Sequence, residues 1–142
     1  SLAAKDLSFT SVAEIEAQQT NDKGELVTVR MPAVLLQPGD IAIYTNSFTN
    51  VGENSADEVV IDNPVPNDTE YLGGSATTEG YLTVFSVDSG KSFGLPKDLS
   101  LPDGKGGKSP AKPEDYTNIR WTKKSPLQPG ETGVVEFRVR VK

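Results

Sequence analysis

A pentapeptide of the form Leu-Gln-Pro-Gly-acid occurs twice in this chain, as Leu36-Gln37-Pro38-Gly39-Asp40 and Leu127-Gln128-Pro129-Gly130-Glu131, and each copy leads into a long alternating segment. Proline presets φ at one turn position and glycine accepts the left-handed conformation at the next, so each copy reverses the chain. After the first, Ala42, Tyr44, Asn46 and Phe48 share one face and Ile41, Ile43, Thr45, Ser47 and Thr49 the other. After the second, Val135, Phe137, Val139 and Val141 fall at the same parity, opposite Val134, Glu136, Arg138, Arg140 and Lys142. A slip of one residue would turn every core side chain outward, so the repeat sets strand register rather than chemistry.

The rest of the chain reads in the same period. Phe9, Ala13, Ile15 and Ala17 share one parity, which favours a strand although Glu14, Ala17 and Gln18 also suit a helix. Asn21-Asp22-Lys23-Gly24 is turn chemistry, and Leu26-Val27-Thr28-Val29 resumes the β-branched pattern, predicting a hairpin. Further strands are predicted at Glu58-Val59-Val60-Ile61, Tyr71-Leu72, Tyr81–Val87 and Ile119-Arg120-Trp121-Thr122. Short strands separated by Gly, Pro and Asn turns, with no long amphipathic helix, predict an all-β, antiparallel two-sheet β-sandwich. A chain of 142 residues is one domain's worth, so residues 1–142 are read as a single sandwich with a long Gly-, Lys- and Pro-rich surface excursion from Asp88 to Pro113.

Composition removes whole classes of chemistry. There is no histidine and no cysteine, which excludes Ser-His-Asp and Cys-His catalysis and zinc sites of imidazole or thiolate. With 14 Lys+Arg against 20 Asp+Glu the net charge is -6, which speaks against a nucleic-acid partner. No apolar run approaches the length of a membrane span, and no leader is visible in Ser1-Leu2-Ala3-Ala4-Lys5, as in a mature chain.

Met31-Pro32-Ala33, Leu36–Asp40, Tyr44-Thr45, Thr49-Asn50-Val51-Gly52, Val59-Val60-Ile61-Asp62, Pro64-Val65-Pro66, Tyr71 and Gly74-Ser75-Ala76 together resemble the family catalogued as domain of unknown function 11. The resemblance is strongest over residues 30–76, and Tyr116–Trp121 with Leu127–Glu131 and the last strand is similar to single-copy, envelope-type members. It implies an immunoglobulin-like repeat of bacterial surface and secreted proteins, hence a periplasmic or cell-surface location and another envelope protein as partner. The family has no agreed activity. Asn46 departs from it, since that inward position is usually apolar there. A buried amide must find partners or cost about 1–3 kcal/mol.

Sites are sought among the polar residues that remain. Asp57, Asp62, Asp88 and Asp103, with Glu58 and Asp68 near them, lie in or beside predicted loops and are the candidates for a calcium site, although no EF-hand spacing is present. Loop carboxylates more commonly hold turns, so no metal or other cofactor is assigned. Neither Gly-Lys-Ser is a phosphate loop, because the glycine needed five residues earlier is Pro102 in one case and Phe85 in the other. The adjacent acids Asp57-Glu58 and Glu114-Asp115 would point to opposite faces of a strand, which is wrong for a glycosidase pair. A self-made isopeptide bond would need Lys5 with Asn118 or Asn50, without a matching motif. Trp121 and Ile119 share a parity and read as core, whereas Tyr116 beside the long excursion is expected at the surface with Lys105 and Lys108, as a partner surface. The chain therefore reads as a non-catalytic structural or interaction module, with a carbohydrate- or calcium-binding sandwich using residues 88–116 as the alternative.

Overall fold

The computed structural model describes residues 6–142. The protein is an all-β, immunoglobulin-like antiparallel sandwich. Its strands are β1 (Leu7–Thr20), β2 (Leu26–Pro32), β3 (Ile41–Asn50), β4 (Val60–Pro64), β5 (Thr69–Tyr71), β6 (Tyr81–Ser86), β7 (Ser100–Pro102), β8 (Lys108–Pro110), β9 (Asn118–Lys123) and β10 (Thr132–Val141). The larger sheet runs β2-β1-β3-β10-β5, the smaller β4-β9-β6, and β7 and β8 form a separate ribbon. The predicted hairpin is present: the Asn21 side-chain oxygen accepts from the backbone N–H groups of Lys23 and Glu25 at 2.9 Å, and Gly24 has φ +77°.

The doubled pentapeptide sits at opposite ends of the central β3–β10 pair and does the same thing twice. In each, the acid's N–H closes the turn on the glutamine carbonyl (Asp40 to Gln37, 3.0 Å; Glu131 to Gln128, 2.9 Å). The acid's carboxylate accepts the glutamine's N–H in return, at 2.8 Å in both copies. Gly39 and Gly130 have φ +93° and +81° and open a bulge of the kind that takes a left-handed glycine first. Gly39 N–H donates to the Val141 carbonyl while Val141 N–H donates to Asp40, and Gly130 N–H donates to Asn50 while Asn50 N–H donates to Glu131. Each turn thus locks the far end of the other's strand.

Between the sheets lie Phe48, Trp121, Ile119, Leu127, Val135, Phe137 and Val139, all fully buried. Trp121 is core as expected, and its ring nitrogen donates to the Thr77 carbonyl at 3.0 Å. Gly133 occupies the position inward of Phe48, where a β-carbon would come within 2.3 Å of the ring. Asn46 is fully buried on the expected face: its amide nitrogen donates to the Asn63 side-chain oxygen at 2.8 Å. The Asn63 nitrogen donates to the Pro64 carbonyl, and the Asn46 oxygen is without a partner. The inward polar residue is therefore half satisfied.

Two expectations change. The first strand of the smaller sheet starts at Val60 rather than Glu58, because Glu58 takes φ +50° and cannot extend the ladder. The excursion from Asp88 to Pro113 is not an irregular loop throughout. It contains a 3-10 turn at Pro96–Asp98 and the β7–β8 ribbon, ends on a second 3-10 turn at Pro113–Asp115, and is pinned to the core by buried Leu99, whose carbonyl receives the Ala111 N–H.

On the outer face of the larger sheet, charges replace a second layer. Arg138 of β10 pairs with Glu16 of β1, and Arg30 of β2 with Glu136 of β10 at 2.9 Å. By register both pairs cross β3 between Ile41 and Thr45, over Ile43, which is fully buried although it faces away from the core. The Arg138 hydrogen bond holds the Glu16 carboxyl below its ordinary range.

Candidate functional site

Of the four aspartates proposed for calcium, three are engaged elsewhere. Asp57 is exposed in the loop before β4. Asp62 takes the Arg120 guanidinium at 2.6 and 3.3 Å, and that cation also lies 3.8 Å from the Phe93 ring centre. Asp88 accepts from the Ser86 hydroxyl at 2.7 Å and from the Ser92 hydroxyl and N–H at 2.6 and 2.9 Å, and these bonds, that from Ser86 first, hold its carboxyl far below the usual range. Asp103 accepts from the N–H groups of Lys105 and Gly107 in the β7–β8 turn. Among the described residues no three acids come together in a way that could hold a metal ion.

Tyr116 is not on the surface. It is 6% exposed and stacks on Phe85 and Tyr71 at centroid distances of 4.6 and 5.6 Å, so burial, reinforced by Tyr71 and Asp115, raises its hydroxyl pKa. Its position beside a polar loop concealed that it follows a 3-10 turn, Pro113–Asp115, which rolls the ring into the core. Lys105 and Lys108 are exposed on the ribbon, as expected. The region contributes to a cleft of about 520 Å³ between the Pro64–Thr69 turn and Glu114–Asn118. Asp68, Glu114 and Asp115 line it with Lys142, but Asp115 is already occupied by the Lys112 N–H at 2.9 Å. The isopeptide idea falls partly on Lys5, outside the described residues. Its proposed partner Asn50 is fully used, donating to the Asn54 and Leu127 carbonyls and accepting from Gly52.

The largest irregularity of the fold lies elsewhere. Five strands, one of 14 residues, face a sheet of three strands no longer than six residues. The Asn46–Asn63 bond places β4, the edge of the small sheet, over β3, so β1 and β2 extend beyond its cover. Their inner face carries Phe9, Ala13, Ile15 and Ala17 on β1 and Val27, Val29 and Met31 on β2, with Ser11 and Gln19 and no charged residue. Phe9 is 51% and Met31 40% exposed, Ser11 and Gln19 are exposed as well, and the remaining apolar side chains are half-buried. Sequence alternation reveals such a face but cannot reveal that, among the described residues, the small sheet does not reach over it, because covered and uncovered strands share the same period.

β2 is also an open edge. Asn21 N–H bonds to Glu25 and Ala33 N–H to Ala13, so the alternation of an antiparallel pair gives Val27, Val29 and Met31 the bonds to β1. The main-chain groups of Leu26, Thr28 and Arg30 point away from the sheet. No family model matches the chain, and no curated protein or solved structure is significantly similar to it.

Proposed function

We propose that this protein is a non-catalytic structural or protein-interaction module of the bacterial cell envelope, of the kind gathered as domain of unknown function 11. The observation that carries the interaction reading is the charge-free apolar face of β1 and β2 beside an open strand edge. A chain of net charge -6 that keeps seven apolar side chains together and partly wet has a surface suited to another protein rather than to a small polar ligand. The envelope location rests on the sequence resemblance.

A second reading, a carbohydrate- or calcium-binding sandwich, draws on the acid-lined cleft beside Tyr116. The thermal midpoint against a panel of divalent cations and soluble glycans separates the two, because a ligand bound only by the folded state raises it by mass action. The interaction module is expected to give a flat response. A saturable, concentration-dependent rise with one compound would replace it by the ligand-binding reading.

A further inference from the structure

We propose that the partner of the β2 edge is a second copy of this chain, joined antiparallel about a two-fold axis through Val29; this rests on the interaction reading above. The main-chain pattern is self-complementary. With Val29 facing its own counterpart, Thr28 exchanges both main-chain hydrogen bonds with Arg30 of the second copy, and the Leu26 N–H reaches the Pro32 carbonyl. Pro32 has no N–H to offer, so the pairing stops there of itself.

The side chains choose this register. Val27 meets Met31 and Val29 meets Val29 on the inner face, joining the two uncovered apolar faces into one, while Thr28 meets Arg30 on the outer face. Shifting the pair one step in one direction sets Arg30 against Arg30, and one step in the other sets Met31 against Glu25. Like charges directly opposite are destabilising, and so is burying a carboxylate beside thioether. The one cation on β2 is already held by Glu136 of its own chain at 2.9 Å, so it brings no free charge to the seam. The devices that normally blunt an edge, a central proline, an inward charge or a lysine, are absent from β2. An isologous pair of this kind closes at two and buries both open edges.

The test is sedimentation equilibrium of the chain from about 1 μM to about 1 mM, a range that brackets weak strand-edge association, with two variants. Thr28→Pro removes an N–H that only the second copy would use and leaves the main-chain β1–β2 bonds intact, at the cost of the exposed Gln18–Thr28 side-chain bond. Val29→Lys places two ammonium groups face to face at the axis. The wild type is expected to show a concentration-dependent dimer, and each variant to weaken it at least about 10-fold, the minimum for losing one bonded or repelled pair near 1.4 kcal/mol. Circular dichroism and the thermal midpoint, taken at the lowest concentration, identify which variant has kept its fold, and the comparison is made on that one. A wild type that stays monomeric throughout, a dimer indifferent to a folded variant, or open-ended growth beyond two would overturn the proposal. A monomer with a flat ligand response removes the second copy but keeps the interaction module, whereas a glycan- or cation-dependent midpoint removes the module itself.

Discussion

At the scale of single residues, three glycines show two different reasons for the absence of a side chain. Gly39 and Gly130 have open space around them, so a substitution there costs only the left-handed backbone. Valine at either position is expected to lower stability by about 1–2 kcal/mol in denaturant unfolding, without altering the fold. Gly133 has no such conformation but would drive a β-carbon into Phe48 and to 2.9 Å from the Tyr81 hydroxyl, so even Gly133→Ala is expected to cost about 1–3 kcal/mol. If Gly39→Val and Gly130→Val were as stable as the wild type, the paired turns would have no part in setting the ladder. These positions divide by legibility. The turn glycines are announced by the proline before them, but Gly133 has no local signature, because its constraint comes from a ring eighty-five residues away in the chain.

At the scale of elements, the outer face of the larger sheet behaves as an ionic lid over Ile43. Its pairs are partly exposed, so each contributes little and is screened by salt. Arg30→Ala removes both a charge and an aliphatic stem, and is expected to lower the thermal midpoint more at low than at high ionic strength. The Glu16 carboxyl is held below its ordinary value, which fixes the sign of the pH dependence. Its contribution is present above the unfolded carboxyl value of about 4.3 and is lost as pH falls through the lower folded value. Glu16→Gln is expected to flatten the acid limb of the stability profile, and an unchanged limb would show that the pair does not hold in solution. The alternation of Glu136, Arg138 and Arg140 marks this face as polar in the sequence. The pairing across β3 depends on strand order and is invisible there.

At the scale of the whole molecule, protection against amide exchange should follow the sheet order. β3 and β10 are bonded on both sides and clipped at both ends, so their amides are expected to exchange slowest, with those of β9 next. The N–H groups of Leu26, Thr28 and Arg30 are expected to exchange fastest of all strand amides at micromolar concentration. Fast exchange along β3 with slow exchange in β2 would contradict the strand order. The same unevenness marks the surfaces: the centre of the larger sheet is closed by the small sheet on one face and by ion pairs on the other, whereas the β1–β2 hairpin extends beyond both.

Local sequence was enough for the all-β class, the hairpin at Asn21–Gly24, the two Pro-Gly turns, the parity of β3 and β10 and the burial of Trp121. These follow from period-two alternation and turn chemistry, which act over a few neighbouring residues. Long-range packing set the inward turn of Tyr116, the binding of Asp62 to Arg120 in place of a metal ion, and the exposure of Phe9 and Met31. Each depends on which strand lies over which, a matter of long-range packing between segments whose local patterns are the same whether or not they meet.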